Sequence, residues 1–307
     1  MRIRFGNVEN LESISRISGS AHAWIRGALF TASLILMTLG LAFPRMVLRE
    51  LRPIPTPTDL IFLLDISPSM YARDMSPSRL GRAETIIQKF ILMKRPEDRY
   101  GLVVFNWGSA VLSYLTSDPQ SIVVYFDWLN QQDEPQPGTN MGAALTAGMR
   151  LLDQEQKLNP GSLKGRRSVF VLLSDGDDTA EQMQKPLVEL GKRNTKVYSF
   201  GLGTANGAFV PIAMRGGLAG DVSEYLTEDD GERLVSRAED QTMRQIAEVS
   251  GARFARAEND GQVGDVINDI LIQGRPVSGY SADPIREDLY RYFLGAAFAC
   301  LIAGIFL

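Results

Sequence analysis

Apolar positions along this chain fall into short unbroken runs, separated by stretches in which they recur at helical spacing. The run at 60–64 has no polar side chain and ends in Asp65, the pattern of a strand buried on both faces of a parallel sheet. Similar runs at 100–105 and 168–174 predict further buried strands, and 195–201 a further strand. Residues 110–115 predict an edge strand and 253–257 a short last one. After Ser76-Pro77-Ser78, which reads as a helix start, Leu80, Ala83, Ile87, Phe90 and Ile91 predict a helix over 79–93. Helices are also predicted over 118–130, with Pro119 at the first helical position, and over 140–154, 180–192, 240–250 and 263–273. Gly142, Ala143, Ala144, Ala147 and Gly148 give the 140–154 helix a face that can pack closely on a sheet. Residues 203–230 are glycine-rich and predict a hairpin and loop. Strands alternating with helices imply an α/β domain: a doubly wound, mostly parallel sheet flanked by helices, with one antiparallel edge.

The ends of the chain have a different character. Residues 27–43 carry no charge and reach the lower limit for a membrane-spanning helix. Pro44, Arg45 and Arg49 follow them, with no small-residue cleavage pattern, so a retained anchor is expected rather than a removed signal peptide. Residues 292–307 are also charge-free, and Leu289 and Tyr290 extend them; Tyr290, Arg291 and Tyr292 suit a membrane interface. Arg16 and Arg26 precede the first span while Arg45, Arg49 and Arg52 follow it, so charge asymmetry assigns no orientation. The expected plan is a polar segment 1–26, a transmembrane helix 27–44, a proline-punctuated linker 45–57, the α/β domain 58–273, a linker 274–288 and a second transmembrane helix 289–307. The pair Arg166-Arg167 reads as a solvated strand entrance.

Composition narrows the chemistry. The 307 residues hold 32 Lys and Arg against 36 Asp and Glu, a net charge of −4, which leaves no basic footprint for nucleic acid. A single cysteine, Cys300, allows no disulfide within the chain, and a single histidine, His22, leaves histidine catalysis or a zinc site little to work with.

Candidate chemistry collects at the predicted strand ends. Asp65, Ser67 and Ser69 follow the first buried strand at i, i+2 and i+4, where open α/β sheets place their ligands. Thr139 lies on a loop before a helical pattern, and Asp175 ends the strand 168–174. Five hard oxygen donors at one sheet edge suit a magnesium-class cation better than zinc or copper. Asp65 and the serines also suit a simple turn. Asp74 and Asp177 are close enough in sequence to support the site through hydrogen bonds, or to serve as turn and cap residues; Asp178 and Asn140 are read the same way.

DISPS at 65–69, the later Thr139 and SDG at 174–176 resemble the metal-ion-dependent adhesion site of a von Willebrand factor type A domain. The segments RDMSPSRLGRAETIIQKFI, RYGLVVFNWGSAVLSYLTSD and IAEVSGARFARAEN, with residues 201–237 including VPI near Val210 and DDG near Asp230, are similar to the bacterial aerotolerance (Bat) branch of that family. That resemblance implies Mg2+, with Mn2+ or Ca2+ as substitutes, held directly by Ser67 and Ser69. Asp65, Thr139 and Asp175 would bind directly or through water. It implies a protein partner that supplies an acidic residue to the metal, a MoxR-type AAA+ ATPase and sibling type A domain proteins as associates, and a bacterial inner-membrane location with the domain on the periplasmic side. The expected function is a membrane-anchored adaptor in stress tolerance or envelope protein maturation. The alternative is an accessory factor for metal insertion into a periplasmic dehydrogenase. A metal-dependent hydrolase is the weaker reading, because no nucleophile–histidine pair, second metal cluster or P-loop accompanies the site, and the chain is expected not to be an enzyme.

Overall fold

The computed structural model describes residues 8–132, 134–178, 183–193, 195–216, 220–228, 231–273 and 275–306. The chain divides into two units, one of residues 1–54 with 279–307 and one of residues 55–278.

In the first unit, helix α1 (Val8–Leu41) is followed by strand β1 (Arg45–Pro55). The segment that is long and apolar enough to cross a membrane is His22–Leu41, five residues earlier than the charge-free stretch suggested at its start. The helix stops before Phe43, which takes a positive φ of 49° ahead of Pro44, a residue that cannot extend a helix. The final helix of the chain, Tyr290–Phe306, is shorter. It packs antiparallel to α1: Ser33 Oγ donates to the Ala297 carbonyl at 2.9 Å, and Gly40 leaves room for Leu294. The segments expected as linkers, 45–57 and 274–288, are instead largely strands: β1 pairs with Val277–Asp288 in a two-stranded ribbon. Proline had argued against helix, and extended backbone satisfies the same φ restriction; a ribbon with two open edges tolerates the lost donors.

The second unit is built on β2 (Thr58–Asp65), fully buried along its length. After a single 3-10 turn at Pro68–Tyr71 come α2 (Arg79–Leu92), β3 (Arg99–Phe105), β4 (Ser109–Thr116), α3 (Gln120–Asn130), α4 (Met141–Leu158), β5 (Arg167–Ser174), α5 (Gln184–Arg193) and β6 (Lys196–Gly201). The short strands β7 (Ala208–Phe209), β8 (Pro211–Arg215), β9 (Asp221–Tyr225) and β10 (Val235–Ser236) form an insert. Then follow α6 (Asp240–Val249), β11 (Phe254–Arg256), α7 (Asp260–Asn268) closed by a π-helical turn at Asp269–Gln273, and the ribbon strand β12 (Val277–Asp288) before α8 (Tyr290–Phe306). The main sheet runs β11-β6-β5-β2-β3-β4, parallel except for β4. Residues 180–182 of the predicted helix and Asp230 of the predicted loop lie outside the described residues.

Alternation along β2 divides the core. Leu60, Phe62 and Leu64 face a layer built with α2, α3 and α7, whereas Ile61 and Leu63 face α4 and α6. The small face of α4 works as predicted: a Cβ on Gly148 would sit 3.0 Å from the Phe170 ring. The strand order reverses between β2 and β5, so the loops leaving these two strands diverge to opposite sides and open a crevice at their carboxyl ends.

At the opposite edge every buried carboxylate is neutralised. Asp59 accepts from Arg99 at 2.8 Å through both oxygens and from Arg166 at 2.8 Å, and Asp98 accepts from Arg275 at 3.0 and 2.7 Å. Arg166 is therefore a half-buried ion-pair partner rather than a solvated strand entrance.

A buried acid on α2 has no such cation among the described residues. Glu84 on α2 accepts only from Asn130 Nδ2 at 3.1 Å, and Glu84 Oε1 and Asn130 Oδ1 are buried without partners. Burial, with some help from Asp127, pushes the Glu84 carboxyl up to about 7. The folded state thus holds this proton more tightly than the unfolded chain, and the associated stability is lost as pH rises through 7. Glu84→Gln should leave urea stability at pH 5 nearly unchanged and raise it at pH 8 by about 1–3 kcal/mol. An equal effect at both pH values would sink this account.

Candidate metal centre

β2 and β5 are in register, Leu64 opposite Leu173, so one step further Asp65 meets Ser174. The Ser174 hydroxyl donates to Asp65 Oδ2 at 2.6 Å, and the Ser67 amide donates to Asp65 Oδ1 at 2.9 Å. Ser67 Oγ and Ser69 Oγ lie 3.0 Å apart, brought together by the 3-10 turn that Pro68 starts. Asp65 is fully buried, and its pKa is pushed up to about 7 by burial and then by the facing Asp175 carboxylate; the bonds from Ser174 and Ser67 only partly offset this.

Asp175 sits just past β5, equally buried. Its Oδ2 accepts from Arg79 Nη1 at 2.8 Å and from Ser236 Oγ at 3.2 Å, while Oδ1 is buried with no hydrogen-bond partner among the described residues. The turn that follows needs Gly176, at φ 96°: a Cβ there would fall 1.7 Å from the Glu239 carbonyl oxygen. The Glu239 amide in turn donates to the Asp175 carbonyl at 2.7 Å.

Thr139 is buried on the loop before α4. That loop is held from two sides: the Asn140 amide donates to the Asn106 carbonyl at 2.8 Å, and the Met141 amide donates to Asp178 Oδ1 at 3.3 Å. Asn140 is the helix cap, accepting from the Ala143 amide at 2.8 Å. Hydrogen bonds therefore join Asp65, Ser67 and Ser69, Asp175 lies close enough for its charge to raise the Asp65 pKa, and Asp178 ties the Thr139 loop to the loop that carries Asp175. Asp177 is exposed at the surface, and partial desolvation of its carboxyl, followed by the Asp175 charge, raises its pKa. Asp74 supports the site through Arg79, which grips both its oxygens at 2.9 Å. Burial alone would raise the Asp74 pKa, but the bonds from Arg79 and Thr204 hold it below the usual range.

Arg79, Ser174 and Ser236 belong to the cluster, though only Ser174, the first residue of SDG, stands in the motif. Arg79 did leave a trace in the sequence, because a cation in the first turn of a helix opposes the helix dipole unless an acid compensates it.

The donor set fits a divalent cation of the magnesium class. Among the described residues no three His, Cys, Asp or Glu side chains gather, so a cation here relies on hydroxyls together with two carboxylates. The bare Asp175 Oδ1 and the elevated Asp65 pKa both mark a place short of positive charge.

Residues 60–177 match the family model described as von Willebrand factor type A domain. The domain has the von Willebrand factor type A fold. A structure with 22% identity, the conserved hypothetical protein BatB from Bacteroides thetaiotaomicron, superposes with a TM-score of 0.58 over 69% of this chain and 97% of that one. An aerotolerance-related membrane protein from Bacteroides fragilis, 24% identical, gives 0.56 over 69% of this chain and 99% of its own. A protein of Mycobacterium ulcerans named UPF0353 protein is 24% identical over 303 residues, 98% of this chain and 83% of the relative. At these identities the likeness shows the type A fold.

Gly176 is the backbone point on which this type A centre turns. Gly176→Ala should lower stability by at least about 1–3 kcal/mol, since it adds left-handed strain to a clash with backbone. A denaturation midpoint equal to that of the parent would show that the turn tolerates a side chain.

Proposed function

We propose that the type A domain is a divalent-cation-dependent protein-binding module, anchored to a bacterial inner membrane by its apolar helices. The observation that carries this reading is the buried, unpartnered Asp175 Oδ1 beside the paired hydroxyls of Ser67 and Ser69 and the facing carboxylate of Asp65. Mg2+ is the first candidate ion, with Mn2+ or Ca2+ as substitutes. When bound, it supplies an electrophilic position for one further oxygen ligand. Ser67 and Ser69 are assigned as direct donors, and Asp65, Thr139 and Asp175 as donors acting directly or through water. Neutral hydroxyls leave much of the cation's charge uncompensated, so a carboxylate from a partner protein is the ligand this donor set favours. Ser174, the Ser67 amide and Arg79 hold the two carboxylates in place before any cation arrives.

The chain is read as a binding module rather than an enzyme, because among the described residues no group of three His, Cys, Asp or Glu gathers and the single histidine, His22, lies on the N-terminal helix. The Bat-like resemblance makes a MoxR-type AAA+ ATPase and sibling type A domain proteins the associates to test first, in stress tolerance or envelope protein maturation. It also favours the periplasmic side for the domain. Support for an anchor is the apolar stretch His22–Leu41 with α8 packed beside it.

The deciding experiment is a crosslinking capture from native membranes, comparing parent and Asp65→Ala in Mg2+ and in EDTA, with circular dichroism to show that both are folded. Partners retained only by the parent in Mg2+ are expected; identical captures in all four conditions would remove the metal centre from the interface. Sodium carbonate washing of the same membranes should leave the chain in the pellet. Its release into the supernatant would contradict the anchor.

A further inference from the structure

Arg79 is fully buried, and its donors all enter one cluster. Nε and Nη2 grip Asp74 Oδ1 and Oδ2 at 2.9 Å each. Nη1 donates to Asp175 Oδ2 and to Ser236 Oγ at 2.8 Å, and Nη2 also reaches the Ser236 carbonyl at 2.8 Å. Behind it Gly203, at φ 103°, closes so tightly that a Cβ would lie 2.7 Å from Nε. Asp74 is held in turn by the Thr204 amide at 2.9 Å and the Thr204 hydroxyl at 3.1 Å. The guanidinium therefore has no freedom to turn, and neither does the carboxylate it holds.

Such a residue poses a question of sign. A fixed cation against a metal-binding carboxylate repels an incoming cation, and on charge alone its removal should tighten metal binding. The geometry argues for the opposite outcome. Asp175 has two oxygens; Arg79 and Ser236 occupy Oδ2, which leaves Oδ1 as the oxygen facing unfilled. A carboxylate freed from this clamp would rotate, and could spend both oxygens on Ser236 or on nearby amides.

We propose that Arg79 is the positioning residue of the metal centre: it fixes Asp175 so that Oδ1 alone is presented to a divalent cation, and this ordering outweighs its repulsion of the cation. The inference rests on the divalent-cation reading above. It requires arginine in particular, because the planar fork reaches Asp74 and Asp175 at once, whereas a lysine ammonium is a point donor on a flexible stem. Ser236 brings the insert into the same arrangement, so strand β10 completes the support of a ligand that the main sheet supplies.

The test is Mn2+ binding to the purified full-length protein in detergent, followed by electron paramagnetic resonance, for the parent, Arg79→Gln and Arg79→Lys. Arg79→Gln should bind Mn2+ about 10- to 100-fold more weakly. Arg79→Lys, which keeps the charge, should recover little of that loss, and the spectrum of its bound Mn2+ should differ from the parent's. Unchanged or tighter binding by a folded Arg79→Gln protein would overturn the inference and leave Arg79 a purely structural or repulsive neighbour. Should both Arg79 variants fail to fold, Asp74→Asn loosens the clamp from its far side; it should weaken Mn2+ binding several-fold, and parent-like affinity would overturn the proposal equally. A parent that binds no Mn2+ overturns the metal reading itself, and that failure is distinct because it appears before any substitution is made.

Discussion

Two carboxylates buried on one strand, Asp59 and Asp65, are treated in opposite ways, and the organisation of the domain follows from the difference. Asp59 lies at the entrance of β2 and receives two arginines. Asp65 lies at the exit and receives a hydroxyl, an amide and a second carboxylate across the switch point. Burying an ionised group without a counter-ion is among the costliest things a fold can do, so the first arrangement is what stability alone would select. At the second, the chain has set two like charges together and given only one of them an arginine. Everything nearby moderates that choice: Ser174 in register with Asp65, the positive-φ turn at Gly176, the paired hydroxyls of Ser67 and Ser69. A cation between the carboxylates would relieve the repulsion that raises the Asp65 pKa and would engage the bare oxygen of Asp175.

The parts of this arrangement that the sequence shows plainly are those governed by local rules. A run such as 60–64 can hardly be anything but a doubly buried strand, and the acid that ends it must lie at the sheet's carboxyl edge. Ser78 before α2 and Asn140 before α4 are caps of an ordinary kind, each accepting from an amide three residues on. Asp175 follows from the same logic one strand later. These inferences need only periodicity and the rule that α/β sheets bind at their switch points.

What stayed hidden depends on pairing across long stretches of chain. Arg79 and Asp175 are 96 positions apart and Arg79 and Ser236 are 157 apart, so no window of sequence contains their relationship. The ribbon of β1 and β12 was concealed for the same reason: each half is proline-bearing and unpatterned alone, and becomes a strand only when the other arrives. The insert of β7 to β10 was legible as irregular and glycine-rich. Its part in fixing Arg79 was not, because Ser236 sits in a two-residue strand that carries no periodicity of its own.

The clamp also bears on what the centre recognises. Asp175 shares its charge with Arg79, and Arg79 is shared in turn with Asp74. A cation bound at Oδ1 would therefore meet a carboxylate whose density is already drawn toward a guanidinium, with two serine hydroxyls and a threonine adding none. Such a cation keeps more of its attraction for an outside anion than it would between two unencumbered aspartates. A weakly neutralised, rigidly presented ion suits reversible capture of a partner's carboxylate better than permanent metal storage. The same arginine that lowers the charge available to the metal raises the order of the ligand, and the balance between these effects decides whether the centre is empty or filled at a given cation concentration.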